Sequence, residues 1–394
     1  MKYVVVLPDG AADEPLAQLG GKTPLEAASI PNMHWIAQHG TVGRAVTIPE
    51  GFTPGTDVGT LTLLGYDPHE FYTGRAPLEA AAKGLKVRAD QLIFRCNFVN
   101  ITDGRMTDFT AGHIAQADAE QLIAALNEAM AADGCEFHAG VSYRNLMLLD
   151  DAAQMQLKCA PPHDISDQLV ANYEPVGSGS DRVTQLMARA SKIVAAHPVN
   201  KERIAHGHLS ATNIWLWGQG RPTHLQPLVD RFGVSGVCIT AVDIIRGMAV
   251  CSGLKLIHVP GATGYIDTDY DAKGAAAIKA LDDNDLVVVH VEAADEAGHL
   301  GNAVEKIKAL ERIDQAIVGP LLDALKPYGA WRILVAADHP TPCSTKAHSS
   351  VPPLFAFAGS DLPVSDAGVF TEKGAADGIL IDPGHTLFGR FLHI

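Results

Sequence analysis

Carboxylates and imidazoles recur along this chain at the ends of short apolar runs, where they could gather a divalent cation. Asp9 closes the run 3–7; alone, such a residue serves equally well to form a turn or cap a helix. Asp295 and His299 are spaced i and i+4 on a turn or helix start, so their side chains can share one ion. The Asp338-His339 pair follows the run 333–337 and offers two ligands facing opposite ways at a strand end, although a capped loop would use the same residues. His348, within Lys346-Ala347-His348-Ser349, reads by itself as a surface histidine. Thr56 puts a hydroxyl in the glycine-rich turn Pro54-Gly55-Thr56-Asp57-Val58-Gly59. The order Asp…Asp-x-x-x-His…Asp-His…His, with each member at or near a predicted strand end, is far more specific than any single residue.

These side chains need a scaffold, and the same sequence describes one. Residues 3–7, 234–240, 286–289 and 333–337 are short runs rich in Val and Ile, as in strands buried on both faces of a parallel sheet. Helical patterns lie between them. One is 303–325, where Ile307, Leu310, Ile313 and Ile317 fall on one stripe. The alternation predicts an α/β fold, a doubly wound and mainly parallel sheet, whose ligands sit at the carboxyl ends of the strands. The middle of the chain differs. Residues 96–100 and 106–109 suggest a hairpin about Asp103-Gly104, and 118–131 an Ala-rich amphipathic helix. Residues 136–149 suggest two strands around Ser142-Tyr143-Arg144, and 161–180 a loop. The expected organisation is a core domain of 1–65 and 225–394 interrupted by a smaller α+β domain, 66–224. Gly218-Gln219-Gly220-Arg221-Pro222 is the expected return hinge.

Composition narrows the partners. A net charge of -15 over 394 residues, without a basic stripe, excludes nucleic acid as the natural ligand. An acidic protein that handles an anionic substrate must reverse the field locally, with arginines or metal ions. The six cysteines are scattered with no C-x-x-C spacing, as expected of reduced thiols in a cytosolic protein. The start of the chain lacks a signal-peptide pattern, and no apolar run approaches the ~18 residues that would span a membrane. A cytoplasmic protein with no membrane partner is expected; the oligomeric state stays open.

Several segments carry a family resemblance: GFTPGTDVGTLTLLGYDP (51–68), YTGRAPLEAA (72–81), GVSYR (140–144), PHDIS (162–166), WGQG (217–220), TAVDIIRG (240–247) and VPGATGY (259–265). With 5–10 and the three later ligand segments, they make the chain resemble, over nearly its whole length, the archaeal-type cofactor-independent (2,3-bisphosphoglycerate-independent) phosphoglycerate mutases of the alkaline phosphatase superfamily. The resemblance implies one metal held by Asp295, His299 and His348 and another by Asp9, Thr56, Asp338 and His339. It makes Thr56 the nucleophile, and 66–224 the domain that closes over substrate. No 2,3-bisphosphoglycerate is required. The mixed donors suit Mn2+ or Zn2+ better than Mg2+, which prefers oxygen. Three ionised Asp and a Thr alkoxide would balance two divalent ions, which lower the hydroxyl pKa and steady an in-line displacement. The family carries Ser where this chain has Thr56; threonine is chemically competent, and other branches of the superfamily use it, often for hydrolysis.

The substrate implied is 3-phosphoglycerate, a small phosphorylated acid, interconverted with 2-phosphoglycerate through a phosphothreonine. Planar recognition of phosphate and carboxylate favours arginine. Arg144 and Arg221 are expected on substrate oxygens and Arg246 on the phosphoryl group; Arg75 is read as structural. His163 and Asp164 are the candidates for proton transfer between hydroxyls, with Asp164 as a helix cap the alternative. His206, His208, His290 and His385 are read as packing or surface residues, and Cys343 as a bystander. The rival readings are a metal-dependent phosphatase or phosphotransferase acting on another small phosphorylated acid or amino acid, and a metal-binding module without catalysis.

Overall fold

The apolar runs become the middle of one sheet. In the computed structural model, which describes residues 1–362 and 368–393, Lys2–Pro8 lies between Leu286–Val291 and Trp331–Ala336, parallel to both. Val4, Val5, Val6, Leu7 and the whole of Leu286–Val291 are buried. Runs this continuous form only where helices cover both faces of the sheet. The full order of the eight strands is Lys255–Ile257, Gly236–Ile239, Leu286–Val291, Lys2–Pro8, Trp331–Ala336, Leu354–Gly359, Gly40–Ala45, Ile379–Ile381. Leu354–Gly359 alone runs against its neighbours, so the sheet is mainly parallel. The register sets Leu7 beside His290, Pro8 beside Val291 and Val6 beside Val335. The three central strands therefore release their next residues side by side, at one edge.

The chain forms two compact units, Met1–Tyr72 with His224–Ile394 and Thr73–Thr223. The joints lie at 72/73 and 223/224 instead of 65/66 and 224/225, because the short helix Pro68–Phe71 and Tyr72 stay with the first unit; the Tyr72 hydroxyl donates to the Asp57 carboxylate. In the second unit, Leu92–Thr102 pairs antiparallel with Arg144–Leu149, Arg105–Asp108 and Asn213–Gly220. Cys135–Val141 extends the sheet beyond Arg144–Leu149. Helices Gln116–Met130 and Ser180–Ala196 bury Leu122, Leu126, Val183 and Ala190 against Phe94 and Phe98.

One expectation is narrowed here and another corrected. Of the segment 218–222, Gly218 to Gly220 belong to the strand Asn213–Gly220, where Ile93 pairs with Gly220, and only Arg221 and Pro222 lie beyond it. A Cβ on Gly220 would stand 2.2 Å from the Thr73 carbonyl oxygen, so glycine is there for a close backbone approach. The helical pattern 303–325 is not one regular helix. Ala303–Ile313 passes into a π-helical turn, Asp314–Val318, before Gly319–Leu325. Pro320 has no N–H to give to the preceding turn, and the Asp314 carboxylate is held by Asn32 and by the Met33 N–H. The stretch 161–180 holds two short 3-10 turns and the strand Val176–Ser178. Among the described residues, no helix is long and apolar enough to cross a membrane.

One buried ion pair fastens the loops that leave the strand ends. Lys306 donates to Asp13 Oδ2 at 2.8 Å, to the Thr341 carbonyl at 2.9 Å and to the Ala12 carbonyl at 3.2 Å. Both charged side chains are 0% exposed. Lys306→Met would leave the Asp13 carboxylate buried without its counter-charge, a change that costs about 3–5 kcal/mol. The expected outcome is a large fall in the urea denaturation midpoint; a midpoint within error of the parent would contradict this account.

A candidate two-metal active site

Asp9 follows Lys2–Pro8 directly, and the turn after it depends on Gly10. That residue has φ +60°, and a Cβ there would lie 2.6 Å from Asp295 Oδ1. Leu286–Val291 leads through Glu292 into the helix Ala293–His299, which places Asp295 and His299 one turn apart. Trp331–Ala336 ends just before Asp338 and His339. Thr56 is the first residue of the buried helix Thr56–Leu63. That helix presses close because position 59 is glycine: a Cβ would come within 2.5 Å of the Asp338 carbonyl oxygen.

Among the described residues three donor groups result: two bring together residues expected from the sequence, and the third, sharing Asp9 with one of them, is Asp9, His290 and Glu292. In the first, His299 Nε2 is 3.1 Å from Asp295 Oδ2, and His348 Nε2 is 3.4 Å from Asp295 Oδ1. Each imidazole has a backbone carbonyl at Nδ1: Lys346 at 3.0 Å for His299 and Pro54 at 3.2 Å for His348. Hydrogens at both Nδ1 atoms leave two bare Nε2 lone pairs only 2.9 Å apart, an arrangement that calls for a proton or a metal cation between them. In the second group, Thr56 Oγ1 is 3.5 Å from Asp9 Oδ1 and 3.3 Å from His339 Nε2. His339 Nε2 is in turn 3.3 Å from Asp9 Oδ1 and 3.4 Å from Asp338 Oδ2. Asp338 Oδ1 accepts from the N–H groups of Gly10 and His339, but Oδ2 is buried with no hydrogen-bond partner. An orphaned carboxylate oxygen 3.4 Å from an imidazole nitrogen fits a cation ligand, and these two groups fit two divalent ions.

Burial, mutual charge and hydrogen bonds shift the ionisable groups at this end of the sheet in opposite directions. Burial pushes the Asp9 carboxyl well above the usual range, and the charges of Asp338 and Asp295 push it further. Glu292 is raised by burial and then by Asp9. Burial also works to raise Asp295, but hydrogen bonds from His299 and His348 hold it well below the ordinary value. The Asp295 hydrogen bond carries His299 up to about 9. Burial lowers both His339 and His290.

His290 was read from sequence as packing or surface, and its position corrects that reading. It is fully buried, and its Nε2 stands 2.8 Å from Asp9 Oδ2 and 3.6 Å from Glu292 Oε2. Thr240 Oγ1 lies 3.3 Å from Nδ1. With the hydroxyl donating there, the Nε2 hydrogen goes to Asp9 and turns the other Asp9 oxygen toward Thr56. Glu292, also missed, carries a buried Oε2 with no hydrogen-bond partner. Lys273 donates to the His290 carbonyl at 3.3 Å, and burial lowers its ammonium to about 8. The available signal was the polar residue near the end of an otherwise apolar strand, two places before Glu292.

The remaining expected residues fall elsewhere. Arg246 lies in the helix Asp243–Cys251, after the strand next to Leu286–Val291, with its Nε 3.9 Å from Asp243. Arg144, Arg221, His163 and Asp164 all belong to the second unit. Arg144 is exposed over the Tyr143 ring at 5.5 Å, and Arg221 is exposed. His163 and Asp164 stand 3.5 Å apart within the turn Pro162–Ile165, so Asp164 is not the cap of a following α-helix. Burial lowers the His163 pKa. His206 and His208 are exposed. Cys343 is a buried neighbour whose backbone N–H donates to Asp13.

The chain is similar over nearly its whole length to known proteins. The family model for 2,3-bisphosphoglycerate-independent phosphoglycerate mutase matches residues 37–200. A protein of Geobacter sulfurreducens named as a probable 2,3-bisphosphoglycerate-independent phosphoglycerate mutase is 42% identical, covering 100% of both chains. A Methanothermobacter thermautotrophicus protein named 2,3-bisphosphoglycerate-independent phosphoglycerate mutase 2 is 46% identical over 96% of this chain and 94% of its own. A solved structure from Pyrococcus horikoshii superposes with a TM-score of 0.83 at 26% identity, covering 99% of this chain and 96% of that one.

The metal-free site gives a pH signature. His299 is raised from 6.5 to about 9, so its contribution is full below 6.5 and disappears as pH rises through about 9. Asp9 and Glu292, also raised, lose theirs in the same direction as pH rises above the ordinary carboxylate range. Asp295, depressed below 3.8, loses its own only as pH falls. Chelator-treated protein should therefore melt lower at about pH 10 than at about pH 6, and saturating Mn2+ or Zn2+ should remove most of the difference. A thermal midpoint that stays level across this window without metal would rule the arrangement out.

Proposed function

The chain belongs to the 2,3-bisphosphoglycerate-independent phosphoglycerate mutases, and on that premise we propose that it interconverts 3-phosphoglycerate and 2-phosphoglycerate through a phosphothreonine at Thr56. The carrying observation is the Thr56 hydroxyl at the head of a buried helix, beside Asp9 and His339. Backbone N–H groups at a helix start favour an approaching phosphoryl group.

Thr56 Oγ, reacting as the alkoxide that the second transfer restores, forms a bond to phosphorus as the bond from phosphorus to the 3-oxygen breaks, leaving glycerate and a phosphothreonine. The glycerate reorients, and its 2-oxygen forms a new bond to phosphorus as the bond to Thr56 Oγ breaks. His163 and Asp164 are assigned to the protons, one taken from the 2-hydroxyl and one given to the 3-oxygen. Arg144 and Arg221 are assigned to substrate oxygens and Arg246 to the phosphoryl group. The second unit is assigned the substrate-closing role, because water would otherwise hydrolyse the phosphothreonine.

Asp295, His299 and His348 would hold one divalent ion, and Asp9, Thr56, Asp338 and His339 the other. When bound, such ions lower the hydroxyl pKa and neutralise charge on the transferring group. The three histidines favour Mn2+ or Zn2+ over Mg2+.

Thr56→Ala should abolish formation of 2-phosphoglycerate in an enolase-coupled assay, with the circular dichroism spectrum unchanged. Thr56→Ser, which keeps the hydroxyl, should retain turnover. Activity in the alanine variant would sink the covalent route. Release of inorganic phosphate by the parent protein without isomerisation would replace the mutase reading with a phosphatase.

A further inference from the structure

The two donor groups expected from the sequence share a member that is a ligand of neither. Thr341 is fully buried, two residues after His339, and its hydroxyl lies between the groups. It donates a hydrogen bond to Asp295 Oδ1, and it stands 3.2 Å from His339 Nδ1. A hydroxyl has one hydrogen to give. An ionised carboxylate can only accept, so that hydrogen goes to Asp295 and the oxygen faces Nδ1 with a lone pair. Nδ1 must then carry the imidazole hydrogen. The bare nitrogen is Nε2, the one that faces Thr56 Oγ1 at 3.3 Å and Asp9 Oδ1 at 3.3 Å. One hydroxyl thus orients the carboxylate in the first group and faces the imidazole in the second, where the Pro340 carbonyl also accepts from the ring.

The surroundings leave Thr341 no other place. Its N–H donates to the Ala12 carbonyl at 3.2 Å, and its carbonyl accepts from the buried Lys306 at 2.9 Å. A Cβ on Gly298 would stand 2.4 Å from that carbonyl, and one on Gly10 would stand 2.6 Å from the hydroxyl oxygen. The side chain is clamped on its backbone side by a buried cation and on its polar side by the two ligands it serves.

We propose that Thr341 is a positioning residue that couples the two metal subsites, its hydroxyl holding Asp295 and His339 ready for their ions at once. The proposal rests on the two-metal reading above, and the test separates them. Manganese is titrated into chelator-stripped full-length protein and followed by isothermal titration calorimetry. The parent should take up two ions per chain. Thr341→Val, which keeps the shape and loses the hydroxyl, should weaken both binding steps by about 10-fold or more, the usual effect of losing a partner behind a metal ligand. Thr341→Ser, which keeps the hydroxyl and loses the methyl, should stay within about threefold of the parent on the same scale. Parent-like affinity in folded Thr341→Val overturns the proposal, as does weakening confined to one step. If the valine variant does not fold, the serine variant decides: a loss in serine comparable to about 10-fold shows that packing, not the hydroxyl, matters, and overturns it too. A parent protein that binds no manganese overturns the two-metal reading itself.

Discussion

Charge repulsion is the constraint from which the rest of the first unit follows. Asp9, Asp295 and Asp338 leave adjacent strands or the helix after one, and all three are buried. No fold holds such carboxylates together without compensation. Here it arrives in layers. Backbone N–H groups serve one oxygen of Asp338, imidazoles serve Asp9 and Asp295, and what is left over faces the place where cations fit. The Lys306–Asp13 pair repeats the principle a few residues away: it ties down the loops with a charge that no ligand has to bring.

Much of this was legible in the sequence, because buried parallel strands are written in uninterrupted Val and Ile and their ends in Asp and His. Asp9, Asp295, His299, Asp338, His339 and His348 are brought together at the edge where those runs end. What stayed hidden depended on register. His290 meets Asp9 only because Leu286–Val291 pairs in parallel with Lys2–Pro8 at one particular offset. Within its own strand it is one polar residue among valines. Thr341 was equally silent, since a hydroxyl after a proline announces nothing until two ligands converge on it. The glycines at 218 and 220 make a related point: composition reports that glycine is needed, not that one serves a positive φ and the other a close backbone approach.

The proposed nucleophile position joins local structure to chemistry. Family members were expected to carry serine there, and the added methyl of Thr56 narrows the side-chain rotamers while leaving the hydroxyl. Thr56 is seated at the first turn of Thr56–Leu63, a helix whose residues are all buried, so a restricted rotamer costs little in an environment that already allows few. The arginines proposed to recognise substrate charge are less confined. Arg144 and Arg221 are exposed on the second unit, where side chains can adjust to a ligand.

Gly10, Gly59 and Gly298 carry a consequence for how this site can change. At each, an added methyl group would collide with Asp295, Asp338 or Thr341, and in every case backbone atoms lie among those struck. The walls around the ligands are therefore main chain, which side-chain exchange cannot push back. Substitution can alter which functional groups point inward, but the room they share is a property of the framework. Along this edge, evolution and design are free to vary the chemistry of the centre far more readily than its size.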